Sequence, residues 1–283
     1  MKKLRIYIGK GKKTEMQIKE QIEKYAPALE KKAKELLSSK DPLFGLLSEK
    51  ENILLEKIRK KNLQKLKKMD ALAWKNYYDW FLARFTYNTN AIEGSTLTLQ
   101  DTSLILFESV VPKGKSTVEI NEVQNHKQSF DYVLGYKGNL TKKFVLEMHK
   151  RLMHNILWDA AGNFRNVDVY IRGVDFVPPP HKDVEQEFRK LLAWHTNNKD
   201  KYNPVILAAH FHSAFEAIHP FRDGNGRTGR LILNFMLRKN GFSMIDIKNQ
   251  DKERYYTALF EAQKNNNLKP LVGMIIDYLN ENE

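Results

Sequence analysis

Within the run His219-Pro220-Phe221-Arg222-Asp223-Gly224-Asn225-Gly226-Arg227-Thr228-Gly229-Arg230 stand a titratable imidazole, a carboxylate, a Gly-Asn-Gly turn and three guanidinium groups. Glycines at 224 and 226 let backbone amides approach phosphate oxygens that a β-carbon would keep away. Arg227 and Arg230 are three residues apart, so on a helix they share a face and can clamp successive phosphates. Asp223 is a hard oxygen ligand suited to Mg²⁺ bridging those phosphates. An imidazole such as His219, with an ordinary pKa near ~6.5, can take a proton from an attacking hydroxyl. A single arginine here would read as an ordinary interhelical ion pair; the whole constellation reads as function.

The flanking residues say what positions this loop. Before it, Val205 to Ile218 reads as a buried helix with Leu207, Phe211, Phe215 and Ile218 at helical spacing. After it, Leu231, Ile232, Phe235 and Met236 form the stripe of a second helix, closed by Asn240-Gly241. The loop thus opens onto a helix N-terminus, where unpaired N–H groups and the macrodipole favour an anion.

His219 to Arg230 resembles the HxFx(D/E)GNGRxxR signature of Fic-domain proteins at every fixed position. The resemblance implies a mainly α Fic fold, a helical bundle with one β-hairpin flap over the active site. It implies adenylyl transfer from ATP·Mg²⁺ to a hydroxyl of a target protein, with His219 catalytic and Asp223 holding the metal. Nucleotide contacts would run through Asp223, Gly224, Asn225, Gly226, Arg227, Thr228, Gly229 and Arg230, with Asn225 and nearby amides steadying charge on the transferring phosphoryl group. Relatives lacking the acid at the 223 position depart toward other donors, so Asp223 favours metal-bound ATP.

Upstream, Thr89-Asn90-Ala91-Ile92-Glu93-Gly94 taken alone is a helix ending at a glycine. A glutamate in a last helical turn is disfavoured by the dipole, so it calls for a cationic partner or stays exposed without consequence. The segment also resembles the (S/T)xxxE(G/N) inhibitory motif that some Fic proteins carry before their catalytic core, on a helix here spanning about 80–94. That resemblance implies that Glu93 pairs with Arg230 and blocks productive ATP binding. In relatives so arranged the same glutamate can orient water to remove AMP from a target.

Val167, Val169 and Ile171 alternate with Asp168, Tyr170 and Arg172, the period-two pattern of a strand, and Gly173-Val174-Asp175-Phe176 can turn the chain before Pro178-Pro179-Pro180. A lone ribbon either covers a helix end or offers its edge to an extended peptide. Resemblance favours the second: a flap over 167–177 that docks the target, with Gly173, Val174, Asp175 and Phe176 beside the nucleotide. Tyr255, Tyr256 and Gln263 stand where they can flank the adenine, although core aromatics are commoner. His210, His212 and His219 raise a zinc reading, but the first two, two apart on a helix, point to different faces. His126, His149 and His154 read as structural.

The composition, 42% apolar and 11% aromatic, is that of a globular protein. No apolar run approaches the roughly 20 residues that span a bilayer, the basic N-terminus lacks a signal-peptide core, and no cysteine is present. Absence of cysteine excludes disulfide and thiolate chemistry, and a cytoplasmic protein is expected. Residues 1–70 hold 20 lysines and arginines against 10 acids, while the whole chain holds 47 against 34. A solvated helical face explains this better, since no aromatic stacking pattern or recognition motif accompanies the charge, although residues 1–70 leave room for nucleic acid or an acidic partner. Residues 1–70 are therefore expected to be a basic helical extension and 71–283 the Fic domain, too short for the winged-helix module that follows in many relatives. Dimerisation stays open. The favoured reading is an autoinhibited protein adenylyltransferase; the alternatives are a hydrolase removing AMP through Glu93 and a non-catalytic nucleotide- or nucleic-acid-binding module.

Overall fold

The computed structural model describes residues 14–38, 41–171 and 176–281. Among these the secondary structure is helical: α1 (Glu15–Ser38), α2 (Glu49–Lys68), α3 (Ala71–Ile92), α4 (Leu99–Ser103), α5 (Thr117–Gly135), α6 (Lys142–Leu152), α7 (Val184–Asn198), α8 (Pro204–Ile218), α9 (Asn225–Lys239), α10 (Lys252–Lys264) and α11 (Lys269–Glu281). No described helix is long and apolar enough to cross a membrane. The chain divides into two compact units, 1–52 and 53–283, so most of α2 belongs to the larger one. There Asn62 Nδ2 donates to Gly241 O at 3.0 Å.

In the smaller unit α1 runs unbroken through Pro27, where an interruption is expected from the sequence. Proline removes one N–H and its hydrogen bond, and in this helix the rest of the ladder continues around the gap.

The larger unit is built around the α8–α9 pair. Helix α8 starts with Asn203 Oδ1 accepting from Val205 N–H at 2.9 Å and Pro204 in the first turn. It is buried almost all round: Leu207, Phe211 and Phe215 are at most 3% exposed. Each such side chain contributes about 1.5–3 kcal/mol of burial. Leu231, Ile232, Phe235 and Met236 of α9 fill the facing layer, as their spacing predicts. The buried Asn234 side chain of α9 ties down the segment that follows by exchanging hydrogen bonds with Ile245 N–H and C=O, at 2.7 and 2.9 Å. Helix α3, capped by Asp70 on Ala73 N–H, lays Phe81, Phe85 and Ile92 against α5 and the start of α9.

The expected β-hairpin is not seen. No strand occurs among the described residues, and the turn residues Gly173, Val174 and Asp175 lie outside them. The physical reason lies in the returning arm. Pro178-Pro179-Pro180 offers no N–H to a ladder, and its partner carbonyls are taken by a side chain instead. Arg165 Nη1 donates to Val167 O at 3.0 Å and its Nη2 to Pro179 O. Asp168 Oδ1 accepts from His181 N–H at 2.7 Å.

Candidate functional site

His219 ends α8 with φ 49°, a left-handed conformation that turns the chain sharply out of the helix. Its Nδ1 lies 3.3 Å from the Glu216 carbonyl oxygen. Since a carbonyl only accepts, Nδ1 carries the proton and Nε2 presents its lone pair. Burial lowers the imidazole's pKa and nearby Arg165 lowers it further, against the Glu216 carbonyl, Glu93 and Asp223. The ring is therefore neutral and basic at physiological pH.

Six residues on, the loop is held by Asn225. Its Oδ1 accepts from Phe221 N–H and its Nδ2 donates to Phe221 O, both at 2.9 Å. The side chain that the resemblance places near phosphate is thus committed to holding the turn. Gly224, just before Asn225, has φ 75° and caps the N-terminus of α9. His149 packs face to face on Phe221, accepts from Gly162 N–H at Nδ1 and donates from Nε2 to Asp223 O at 3.0 Å. This is a structural role, as expected. His126, buried against Thr86 and Phe85, is structural too.

Arg230 is fully buried. Its Nε donates to Thr89 Oγ1 at 2.7 Å, and its Nη2 to Thr89 O at 3.1 Å and to Glu93 Oε1 at 2.6 Å. Thr89 of α3 and Glu93 at its C-cap therefore grip one guanidinium together. Partial burial alone would raise the Glu93 pKa, but Arg230's charge and hydrogen bond, with Arg227 and Lys252, bring it below the ordinary value. A β-carbon on Gly226 would lie 2.2 Å from Glu93 Oε1 and 3.0 Å from Arg230 Nη1. A carboxylate thus rests against the glycine at the α9 N-terminus, where an anion is favoured. Arg227, also buried, pairs at 2.6 Å with Glu122 of α5 and more loosely with Asp223 at 3.4 Å. The Asp223 carboxylate is 54% exposed and reaches solvent at the loop mouth.

A cavity of about 670 Å³ opens beside these groups, lined by Glu93, Phe176, His219, Gly226, Arg230, Tyr255, Tyr256 and Gln263 among others. Eight of the residues singled out in the sequence thus face one space. Asp223, Gly224, Asn225, Arg227, Thr228 and Gly229 do not line it: Asp223 stands at the loop mouth, and Thr228 and Gly229 pack inward. Tyr255 is buried, its hydroxyl 2.7 Å from His212 Nε2, while Tyr256 keeps a partly exposed ring. This places His212 in a core contact, with no cluster of three metal-ligating side chains among the described residues.

Sequence reading misses Glu216, Lys252 and Arg165. Glu216 lines the cavity with its Oε1 buried and without a hydrogen-bond partner. Burial pushes its pKa up to about 8, with Glu93 adding and Arg230 opposing, so the group carries a proton at neutral pH. Its place three residues before His219 on a helix is the signal that could have found it. Lys252 lines the same cavity and donates to Ile92 O, at the end of the helix bearing Glu93.

Residues 139–237 match the Fic/DOC family. The protein adenylyltransferase Fic of Nematostella vectensis is 32% identical over 194 residues, 67% of this chain and 45% of that protein. That of Drosophila ananassae is 34% identical over 195 residues, 68% of this chain and 39% of its own. The match spans less than half the length of either. Among solved structures, a Fic domain containing signaling protein from Bacteroides thetaiotaomicron superposes with a TM-score of 0.73 at 25% identity, over 80% of this chain and 92% of that one. Fic-1 (residues 134–508) from C. elegans gives 0.73 at 27% identity, over 87% and 73%. With the signature loop, the helical core and these likenesses in agreement, the chain carries a Fic domain and belongs to the Fic/DOC family.

Proposed function

We propose that this chain transfers AMP from ATP·Mg²⁺ to a hydroxyl of a target protein or of itself, and that Glu93 restrains the reaction. The relatives named protein adenylyltransferase support the activity. The observation that carries the reading is the Glu93–Arg230 ion pair resting on Gly226, in the cavity that His219 also faces.

The site fits a nucleotide by a direct criterion. The Glu93 carboxylate stands in for an anion at a helix N-terminus, held by a buried guanidinium and by a glycine that leaves the space open. When Glu93 withdraws, a phosphate group can take the same place. The cavity volume, about 670 Å³, lies within the usual range of roughly 300–1,000 Å³ for small-molecule sites. Tyr255, Tyr256, Leu259 and Gln263 form an aromatic and apolar wall suited to a purine, and Phe176 lines the same space. Asp223, exposed at the loop mouth, supplies one carboxylate, enough for a Mg²⁺ that takes its other ligands from phosphate and water. When bound, the ion would neutralise phosphate charge.

In the reaction His219 Nε2 accepts the proton of the attacking hydroxyl, whose oxygen forms a bond to the α-phosphorus. The bond to the bridging oxygen breaks and pyrophosphate leaves. Arg230, freed from Glu93, and Arg227, held by Glu122, offset the charge of the departing group. Val167 and Tyr170 of the arm 167–171 are exposed, as is Val177, an apolar surface on which a target segment can lie.

The reverse reaction has one observation in its favour. Glu93, ionised and on the same cavity as His219, is placed to accept a proton from water attacking an adenylylated hydroxyl. Incubating wild type and Glu93→Gly with ATP, then searching both for adenylylated peptides by mass spectrometry, tests the forward reading. Adducts are expected on the variant. Their absence from the variant and from every protein of an added lysate overturns it.

A further inference from the structure

Arg165 lies at the junction of the signature loop and the extended arm, and its side chain is completely buried. Its Nε donates to His219 O at 2.8 Å and its Nη2 to Ile218 O at 3.4 Å, while its own N–H donates to Pro220 O at 2.9 Å. The same guanidinium reaches Val167 O and Pro179 O. One planar fork therefore serves main-chain oxygens from three stretches: the end of α8, the start of the extended arm and its return. Two features make this more than packing. His219 adopts a left-handed backbone without being glycine, a conformation that persists where the surroundings over-determine it. The anchor points also lie four and three residues from Ile171 and Phe176, which line the cavity that His219 faces. Arg222 of the signature grips the same arm at Asn166.

We propose that Arg165 is a positioning residue for the transfer: by tying His219's main chain to both ends of the arm, it fixes where the imidazole stands relative to the cavity wall. This rests on His219 acting as the proton acceptor. Lysine, a single ammonium on a flexible stem, cannot serve these oxygens together, so Arg165→Lys keeps the charge and loses the clamp. Arg165→Gln loses both.

The experiment uses the full chain with Glu93→Gly as the active reference and α-labelled ATP as the probe. Initial rates of self-modification are measured against ATP concentration. Adding Arg165→Lys or Arg165→Gln should lower the saturating rate on the order of 10²-fold, the penalty of a displaced catalytic group. The ATP concentration giving half the maximal rate should stay where it is, because Arg230, Gly226 and the tyrosine wall are untouched. The ring of His219, followed by NMR, should titrate at higher pH in Arg165→Gln, since Arg165's charge lowers its pKa. It should titrate near its original pH in Arg165→Lys.

A full rate with lysine at 165 would reduce the residue to a charge and overturn the proposal. So would a parallel loss of rate and nucleotide affinity, which marks general loosening of the fold. If the Glu93→Gly reference labels nothing, the transfer reading has failed. The clamp is then judged on His219 alone: an unchanged ring spectrum in both Arg165 variants overturns it, and a displaced one upholds it.

Discussion

Replacing Glu93 by glycine should make the protein less stable and, at the same time, more responsive to nucleotide. In the resting structure Glu93 Oε1 is 2.6 Å from Arg230 Nη2, the guanidinium is 2% exposed and the carboxylate 34%. Breaking a fully buried pair by removing one partner costs about 3–5 kcal/mol, because a charge is left uncompensated. Two features reduce that figure. Glu93 is partly in water, and Arg230 keeps its bonds to Thr89 and its position over the Tyr255 ring. The expected loss is therefore about 1–3 kcal/mol. At about 2–4 °C per kcal/mol for a domain of this size, the melting temperature should fall by roughly 2–12 °C. ATP·Mg²⁺ in excess then supplies the missing anion, and at a hundredfold excess over its dissociation constant returns about 2.7 kcal/mol. Thermal unfolding of wild type and variant, with and without ATP·Mg²⁺, reads both effects. The reasoning is refuted if the variant melts with wild type in the absence of nucleotide and rises no further in its presence.

Other consequences concern groups around the loop. Glu122→Gln should leave Arg227 buried without its closest counter-ion; in the Glu93→Gly background, nucleotide affinity measured by calorimetry should change by several-fold or more, and an unchanged value would mean that Glu122 does not set Arg227's position. Glu216, neutral in the folded state up to about pH 8 but ionised above about pH 4.5 when unfolded, binds more protons in the native state, so stability should decline as pH rises between these values. Glu216→Gln should flatten that decline in urea-unfolding curves taken from pH 5 to 8.5, and an identical slope would show that the acid titrates normally.

Much of this site was legible because its chemistry is local. His219, Gly226 and Arg230 lie on one short run, and the apolar spacing of α8 and α9 fixes where that run emerges. Glu93 needed its resemblance to a motif: helix-dipole reasoning asks for a cationic partner but cannot name one 137 residues away. Glu122, Arg165 and Glu216 stayed hidden for a related reason. Arg165 acts through buried main-chain contacts, Glu122 through its pair with Arg227 and Glu216 through burial, and in the sequence they look like any charged residue on a helix or before a strand pattern. The alternating arm at 167–171 misled because alternation specifies which side chains share a face, whereas a strand also needs a partner with free N–H groups. Three consecutive prolines on the return leave that requirement unmet. Pro27 misled in the opposite sense, since a missing hydrogen bond is survivable within a long helix.

The central claim is that the Arg230–Gly226 anion seat receives ATP and that His219 directs its α-phosphorus to a hydroxyl. Parallel reactions of the Glu93→Gly protein with ATP labelled at the α- or the γ-phosphorus test it most directly, with Glu93→Gly/His219→Ala as the comparison. The account predicts covalent label from the α-position only, lost when His219 is replaced. Label from the γ-position, or α-label that survives without the histidine, would contradict it.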